Sequence, residues 1–84
     1  MTEDSTVVET AASAAEGYIL SQYASSDIAD VDIRVSYREK ALTVDIFIDT
    51  NATTEEAEMK EQAVVDDAIV VAHEAVDELL AEAN

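Results

Sequence analysis

From Val31 to Asp49 the chain reads VDIRVSYREKALTVDIFID and alternates apolar with polar residues almost without fault. A period of two places successive side chains on opposite faces of a strand. Val31, Ile33, Val35 and Tyr37 share one face, and Asp32, Arg34, Ser36 and Arg38 the other. Past Glu39 and Lys40, Leu42, Val44, Ile46 and Ile48 alternate with Thr43, Asp45, Phe47 and Asp49. A two-residue loop at Glu39-Lys40 predicts an antiparallel hairpin with Val31 opposite Ile48, Ile33 opposite Ile46, Val35 opposite Val44 and Tyr37 opposite Leu42. All eight are apolar and on one face. The other face pairs Arg34 with Asp45 and Ser36 with Thr43, each pair worth ~0.2–1 kcal/mol. A slip of one residue would turn one strand's apolar set to solvent. Glu-Lys is a poor type I′ turn sequence, and a four-residue loop from Arg38 to Ala41 would keep the same pairing.

Helical periodicity flanks the hairpin on both sides. Val7, Val8, Ala11, Ala14, Ala15, Tyr18 and Ile19 recur at i, i+3, i+4 spacing, with Glu9, Ser13 and Glu16 opposite. Thr6 and Glu9 have capping-box spacing, with Ser5 as a rival cap. The stripe is mostly alanine, so this helix is expected to lie close to its neighbour. Gly17 costs about 1 kcal/mol relative to alanine in a helix interior, which implies close backbone contact or simple tolerance. Leu20 points away from the stripe. Ser25, Ser26 and Asp27 are turn formers that end the helix. After the hairpin, Thr53 and Glu56 repeat the capping-box spacing, and Glu56 and Lys60 suit an i, i+4 ion pair. The second stripe runs Val65, Ala68, Ile69, Ala72, Val76, Leu79, Leu80 and Ala83, widened on one flank by Val64, Val71 and Ala75. Glu58 and Glu61 lie on that stripe upstream. The first two turns are therefore either an overhanging helix end or a loop, with regular helix from about Glu58.

The order helix, strand, strand, helix predicts a single α+β domain over residues 1–84, frayed at 1–4 and 82–84. Two helices cover the apolar face of an antiparallel hairpin, in two layers. A two-stranded sheet leaves both edges unpaired. A second copy joined edge to edge would make a four-stranded sheet, so a homodimer is expected.

Charge changes this picture. Twenty Asp and Glu face four Lys and Arg, a net −16. With 49% hydrophobic residues and clear periodicities, this describes a folded protein with an acidic surface rather than a disordered chain. Its self-repulsion weakens the fold at low salt and fades at ~1 M, where the Debye length is ~3 Å. Abundant Asp and Glu with few Lys resemble haloarchaeal cytoplasmic proteins. A nucleic-acid backbone or an anionic lipid surface is a poor partner for the molecule as a whole. The N-terminal MTEDSTVVET has neither the basic region nor the apolar core of a signal peptide. No run approaches the ~18 apolar residues of a membrane span. There is no cysteine, so disulfides and thiolate metal sites are excluded.

Candidate chemistry is sparse. His73-Glu74-Ala75-Val76-Asp77 has part of the HExxH spacing, but a second histidine and a third ligand are missing, so the sequence predicts no metal site. The carboxylate pairs Glu55–Glu56, Asp66–Asp67 and Asp77–Glu78 fall on solvent faces. Acid–base catalysis needs a cleft that separates two pKa values, and a chain this short has little room for one. One glycine cannot make a phosphate loop, and no serine has a histidine in a nucleophile motif. The sequence predicts no enzyme and no cofactor. The cations are more informative. Arg34, Arg38 and Lys40 lie within seven positions of the hairpin; Lys60 is the fourth. Their plainer role is to neutralise Asp32, Glu39, Asp45 and Asp49. Phe47 is the one large apolar residue on the polar face, and Phe beside Arg is the composition of an interface core. Arg34, Arg38, Lys40 and Phe47 form the candidate interaction surface.

Asp30-Val31-Asp32-Ile33-Arg34-Val35-Ser36-Tyr37, then Leu42-Thr43-Val44-Asp45-Ile46, then an acidic helix ending Ala75-Val76-Asp77-Glu78-Leu79-Leu80, together resemble a small archaeal family of about this length with no assigned function. The resemblance covers most of the chain. It implies the same element order and a cytoplasmic archaeal setting. It also implies genes encoded near those for prefoldin and for transcription or tRNA-modification machinery, as befits an accessory protein. It supplies no functional residues. The leading expectation is a non-catalytic interaction module that self-associates through the hairpin. The alternative is a weak RNA- or nucleotide-binding module using Arg34, Arg38 and Lys40.

The charge predicts salt dependence. Below roughly 0.5 M salt the fold should loosen as screening fails. Circular-dichroism melts at low and molar salt check this, and superimposable melts would refute it.

Overall fold

The period-two alternation builds the hairpin it specifies. A computed structural model describes residues 3–82. In it β1 (Asp30–Arg38) and β2 (Ala41–Asp49) pair antiparallel, with Val31, Ile33, Val35 and Tyr37 opposite Ile48, Ile46, Val44 and Leu42. Glu39 and Lys40 alone form the turn, at φ 52° and 66°, the signs of a type I′ turn. A left-handed conformation costs a residue with a Cβ about 1–2 kcal/mol. The register is therefore held by the facing side chains, against the preference of the turn residues.

Helix α1 (Asp4–Gln22) precedes the hairpin and α2 (Glu55–Glu82) follows it. A single 3₁₀ turn at Ser25–Asp27 carries the chain from α1 to β1. Neither helix starts where its capping-box spacing implies: α1 starts earlier than a Thr6 cap allows, and α2 starts one residue later than a Thr53 cap would place it. Glu3 stands before α1 without a side-chain cap, and its carbonyl accepts the N–H of Thr6 (3.0 Å) and Val7 (3.2 Å). Ser5 and Thr6 thus lie inside the helix. Val7 is fully buried, and a turn upstream gives its N–H a partner. In α2 the cap is Thr54, not Thr53. The Thr54 hydroxyl accepts the Ala57 N–H at 3.1 Å, and its carbonyl accepts the Glu58 N–H at 3.0 Å. Glu55, Glu56 and Glu58 in the first turn suit the positive end of the helix dipole, which sustains helix where the apolar stripe is absent. Of the residues expected to fray, Asp4 opens α1 and Glu82 closes α2. Met1, Thr2, Ala83 and Asn84 lie outside the described residues.

The helices run antiparallel, since Tyr18 reaches Asp67, Thr10 lies beside Glu78, and Tyr23 meets Lys60. With 28 residues α2 extends about 42 Å and sets the 45 Å long axis. Its first two turns overhang α1. Helix α1 buries Val7, Ala11, Ala15 and Ile19, and α2 buries Val64, Ala68, Ala72 and Val76. Each is an i, i+4 ridge. The α2 ridge is turned one residue from its expected centre, so Val64 is buried while Val65 and Ile69 are half-covered. Gly17 is exposed and a Cβ there would meet nothing within 4 Å, so it is tolerated rather than required for a close approach.

α1 packs on β1, α2 on β2, and the helices on each other, giving the two-layer α+β arrangement in the order α-β-β-α. The centre of the core differs from the sequence reading. Among the described residues, eight of the ten buried apolar side chains belong to the helices; only Val44 and Ile48 come from the sheet, both from β2. Alanine stripes let the helices approach closely, so the helix seam is the driest part of the molecule. The hairpin's apolar face is covered from β2's side, and no residue of β1 is fully buried.

The turn supplies a test. Glu39→Asn with Lys40→Gly leaves net charge unchanged and removes the left-handed strain. It should stabilise the fold by ~1–2 kcal/mol in chemical denaturation at molar salt. A loss of stability would show that the charged side chains outweigh the backbone.

Candidate interaction surface

The polar face of the hairpin is turned away from both helices. It carries Asp30, Asp32, Arg34, Ser36 and Arg38 on β1, and Thr43, Asp45, Phe47 and Asp49 on β2. Phe47 is 56% exposed. Arg34 lies opposite Asp45 in the ladder, as its register requires, but its ion pair is with Asp32 on its own strand: Arg34 Nε–H donates to Asp32 Oδ2 at 2.9 Å. Asp32 is opposite Phe47, which offers no charge to compete for it. The two side chains are 79% and 49% exposed, so this pair contributes at most ~1 kcal/mol. Arg34 and Phe47 are diagonal neighbours and, with Asp32, Asp45 and Ile46, line a shallow open concavity of about 280 Å³. Arg38 stands four residues beyond Arg34, about 13 Å along the strand. Together with Lys40 in the turn, it forms a separate basic tip. Arg34, Arg38 and Phe47 thus share the exposed face and Lys40 lies in the turn at its end, so the four candidates divide into two groups.

The strand edges are open too. A two-residue turn makes its flanking pair, Arg38 and Ala41, hydrogen-bonded, and bonded pairs alternate from there. Arg34–Asp45 and Asp32–Phe47 are bonded within the hairpin. The apolar residues between them aim their N–H and C=O groups outward: Val31, Ile33, Val35 and Tyr37 from β1, Leu42, Val44, Ile46 and Ile48 from β2. Charge is also unevenly spread. Residues 30–49 carry five carboxylates against three cations, whereas the rest of the chain carries fifteen against one. The hairpin is the least negative part of the molecule.

At the far end, the structure gathers residues that the sequence pattern leaves unconnected. The Thr50 N–H and hydroxyl both donate to Glu61 Oε2, at 2.8 and 2.5 Å. This is why an acid interrupts the apolar stripe of α2: it tethers the β2–α2 connection. Lys60 Nζ sits 4.5 Å from the centre of the Tyr23 ring. The Tyr23 hydroxyl is covered and has no hydrogen-bond partner. Desolvation raises its pKa, and the nearby Glu61 carboxylate raises it further. Tyr18 donates to Asp67 Oδ2 at 3.1 Å, and its pKa is also raised, by desolvation and then by that bond and charge. His73, Glu74 and Asp77 are all exposed on α2. Among the described residues, no group of three or more His, Asp or Glu is placed to hold a metal ion, and no helix is long and apolar enough to cross a membrane.

Residues 2–79 match the model of a family described as protein of unknown function (DUF3194). An uncharacterized protein of the haloarchaeon Natronomonas pharaonis is 38% identical over 73 residues, covering 87% of this chain and 82% of that protein. No solved structure matches the chain.

Tyr23 tests the packing around the overhanging end of α2. Tyr23→Phe removes a buried hydroxyl without a partner, keeps the ring under Lys60, and should stabilise the fold by ~1 kcal/mol at neutral pH. Both raised tyrosines bind their protons more tightly folded than unfolded. Their contribution is therefore complete below pH 10 and is lost as pH rises above that value, and Tyr23→Phe should flatten the loss. Thermal melts from pH 7 to 11 check both; a lower melting temperature for the variant would show that the hydroxyl is satisfied.

Proposed function

We propose, for a chain that belongs to the DUF3194 family of proteins of unknown function, a non-catalytic role as a cytoplasmic interaction module. It acts through its hairpin, which self-associates and presents its outer face to a protein partner. One observation carries this reading: on a molecule of net −16, the hairpin alone is near charge balance, and there Phe47 stands 56% exposed beside Arg34, on a sheet whose two strand edges are open. An exposed aromatic beside an arginine is the composition of an interface core, and an unpaired strand edge is a template for another strand. The acidic helices supply solubility in concentrated salt, in keeping with a haloarchaeal relative. The concavity beside Phe47 is shallow and open, and suits contact rather than catalysis.

The test is a pull-down from extract kept in molar salt, with the mass of the purified chain measured by light scattering in the same buffer. A dimer mass, together with a protein captured by the wild type and lost with Phe47→Ala, is the expected result. Selective capture of RNA, lost with Arg34→Ala and Arg38→Ala, would favour the RNA-binding reading.

A further inference from the structure

Resting on the self-association proposed above, we infer that the seam between copies is the free edge of β1. Two β1 strands pair antiparallel across a twofold axis at Arg34, giving a four-stranded sheet in the order β2-β1-β1-β2.

Three observations separate this edge from that of β2. The first is cover. No apolar residue of β1 is buried and Val31 is 41% exposed, whereas β2 has Val44 and Ile48 buried. A strand added beside β1 covers apolar surface that the single copy leaves open; one added beside β2 gains less. The second is charge. β1 carries cations and carboxylates on one face, and reversing it sets unlike charges together. With Arg34 on the axis, Asp30 lies opposite the other copy's Arg38 in two equivalent pairs, and Asp32 lies opposite Ser36. Each Arg34 is already paired with its own Asp32 at 2.9 Å, which offsets the approach of the two guanidinium groups. β2 has no cation; pairing it with itself about its centre sets Asp45 against Asp45. The β2 edge also borders α2, where Glu58 and Glu61 line a cleft beside Phe47 and Ile48.

The third is parity. The outward N–H and C=O groups of β1 belong to Val31, Ile33, Val35 and Tyr37. Centring on Arg34 pairs Val31 with Tyr37 and Ile33 with Val35, so outward groups meet outward groups and the apolar faces stay on one side. All nine residues of the strand are paired. The outer face of the resulting sheet carries two Phe47 residues, one on each outer strand.

The absence of native cysteine makes cross-linking a clean test. Across a non-hydrogen-bonded antiparallel pair the Cα atoms lie about 4.5 Å apart, within reach of a disulfide. Arg34→Cys should oxidise to a covalent dimer, while Asp45→Cys, at the matching position of β2, should stay at the diffusional background. The register is read separately by light scattering. Asp30→Arg and Arg38→Asp should each weaken the dimer about tenfold, and an equimolar mixture of the two should restore it. Faster cross-linking through Asp45→Cys, or background rates for both variants of a chain that is dimeric by mass, would overturn the β1 seam and leave self-association standing. Failure of the mixture to recover would overturn the register. A wild-type monomer mass at high concentration would overturn the self-association reading itself.

Discussion

The contact between two small-residue ridges decides most of this structure. Val7, Ala11, Ala15 and Ile19 lie along α1, and Val64, Ala68, Ala72 and Val76 along α2. Alanine at the two middle positions of each ridge lets the antiparallel helices approach closely. A close seam is dry but narrow, and two valine or isoleucine side chains per ridge supply its bulk. The price is paid at the sheet, which is left with two buried residues of its own, Val44 and Ile48. An 84-residue chain has little surface to bury, and this one places its best packing between the helices.

Electrostatics follows the same division. The helices carry most of the carboxylates, and the one Lys or Arg in their sequence, Lys60, leans over Tyr23. In molar salt that surface is screened and holds water. The hairpin keeps three of the four cations and is nearly balanced. A molecule that repels most approaching surfaces through its helices has one face, and the edge of β1 beside it, where carboxylates are offset by cations. The functional reading rests on that asymmetry and on the under-covered β1, not on any catalytic grouping.

Local periodicity was legible because it needs no partner. The hairpin register follows from eight alternating apolar positions, which fix it even through a turn that both turn residues disfavour. Arg34, Arg38 and Phe47 can be placed on one face for the same reason, with Lys40 in the turn beside Arg38. Helix starts were less legible. Capping-box spacing points to Thr6 and Thr53, yet the burial of Val7 goes with an α1 start upstream, and the Thr54 cap sets the α2 start one residue downstream. Glu61 looked like an interruption of an apolar stripe; its Thr50 partner is eleven residues away and joined only by folding. Arg34 was matched with Asp45 across the strands, but a flexible, exposed guanidinium takes whichever carboxylate lies nearest without competition, and that is Asp32.

The sequence by itself determined the elements, their order, the hairpin register and which residues share each face, since these depend on spacing along one strand or one helix. Only the tertiary structure decided how the apolar surface is divided. It closed the helices on each other, covered β2 more fully than β1, and left the polar hairpin face unpartnered. These outcomes depend on how closely two alanine-lined helices can pack over a sheet of two strands, a through-space constraint that no single segment encodes.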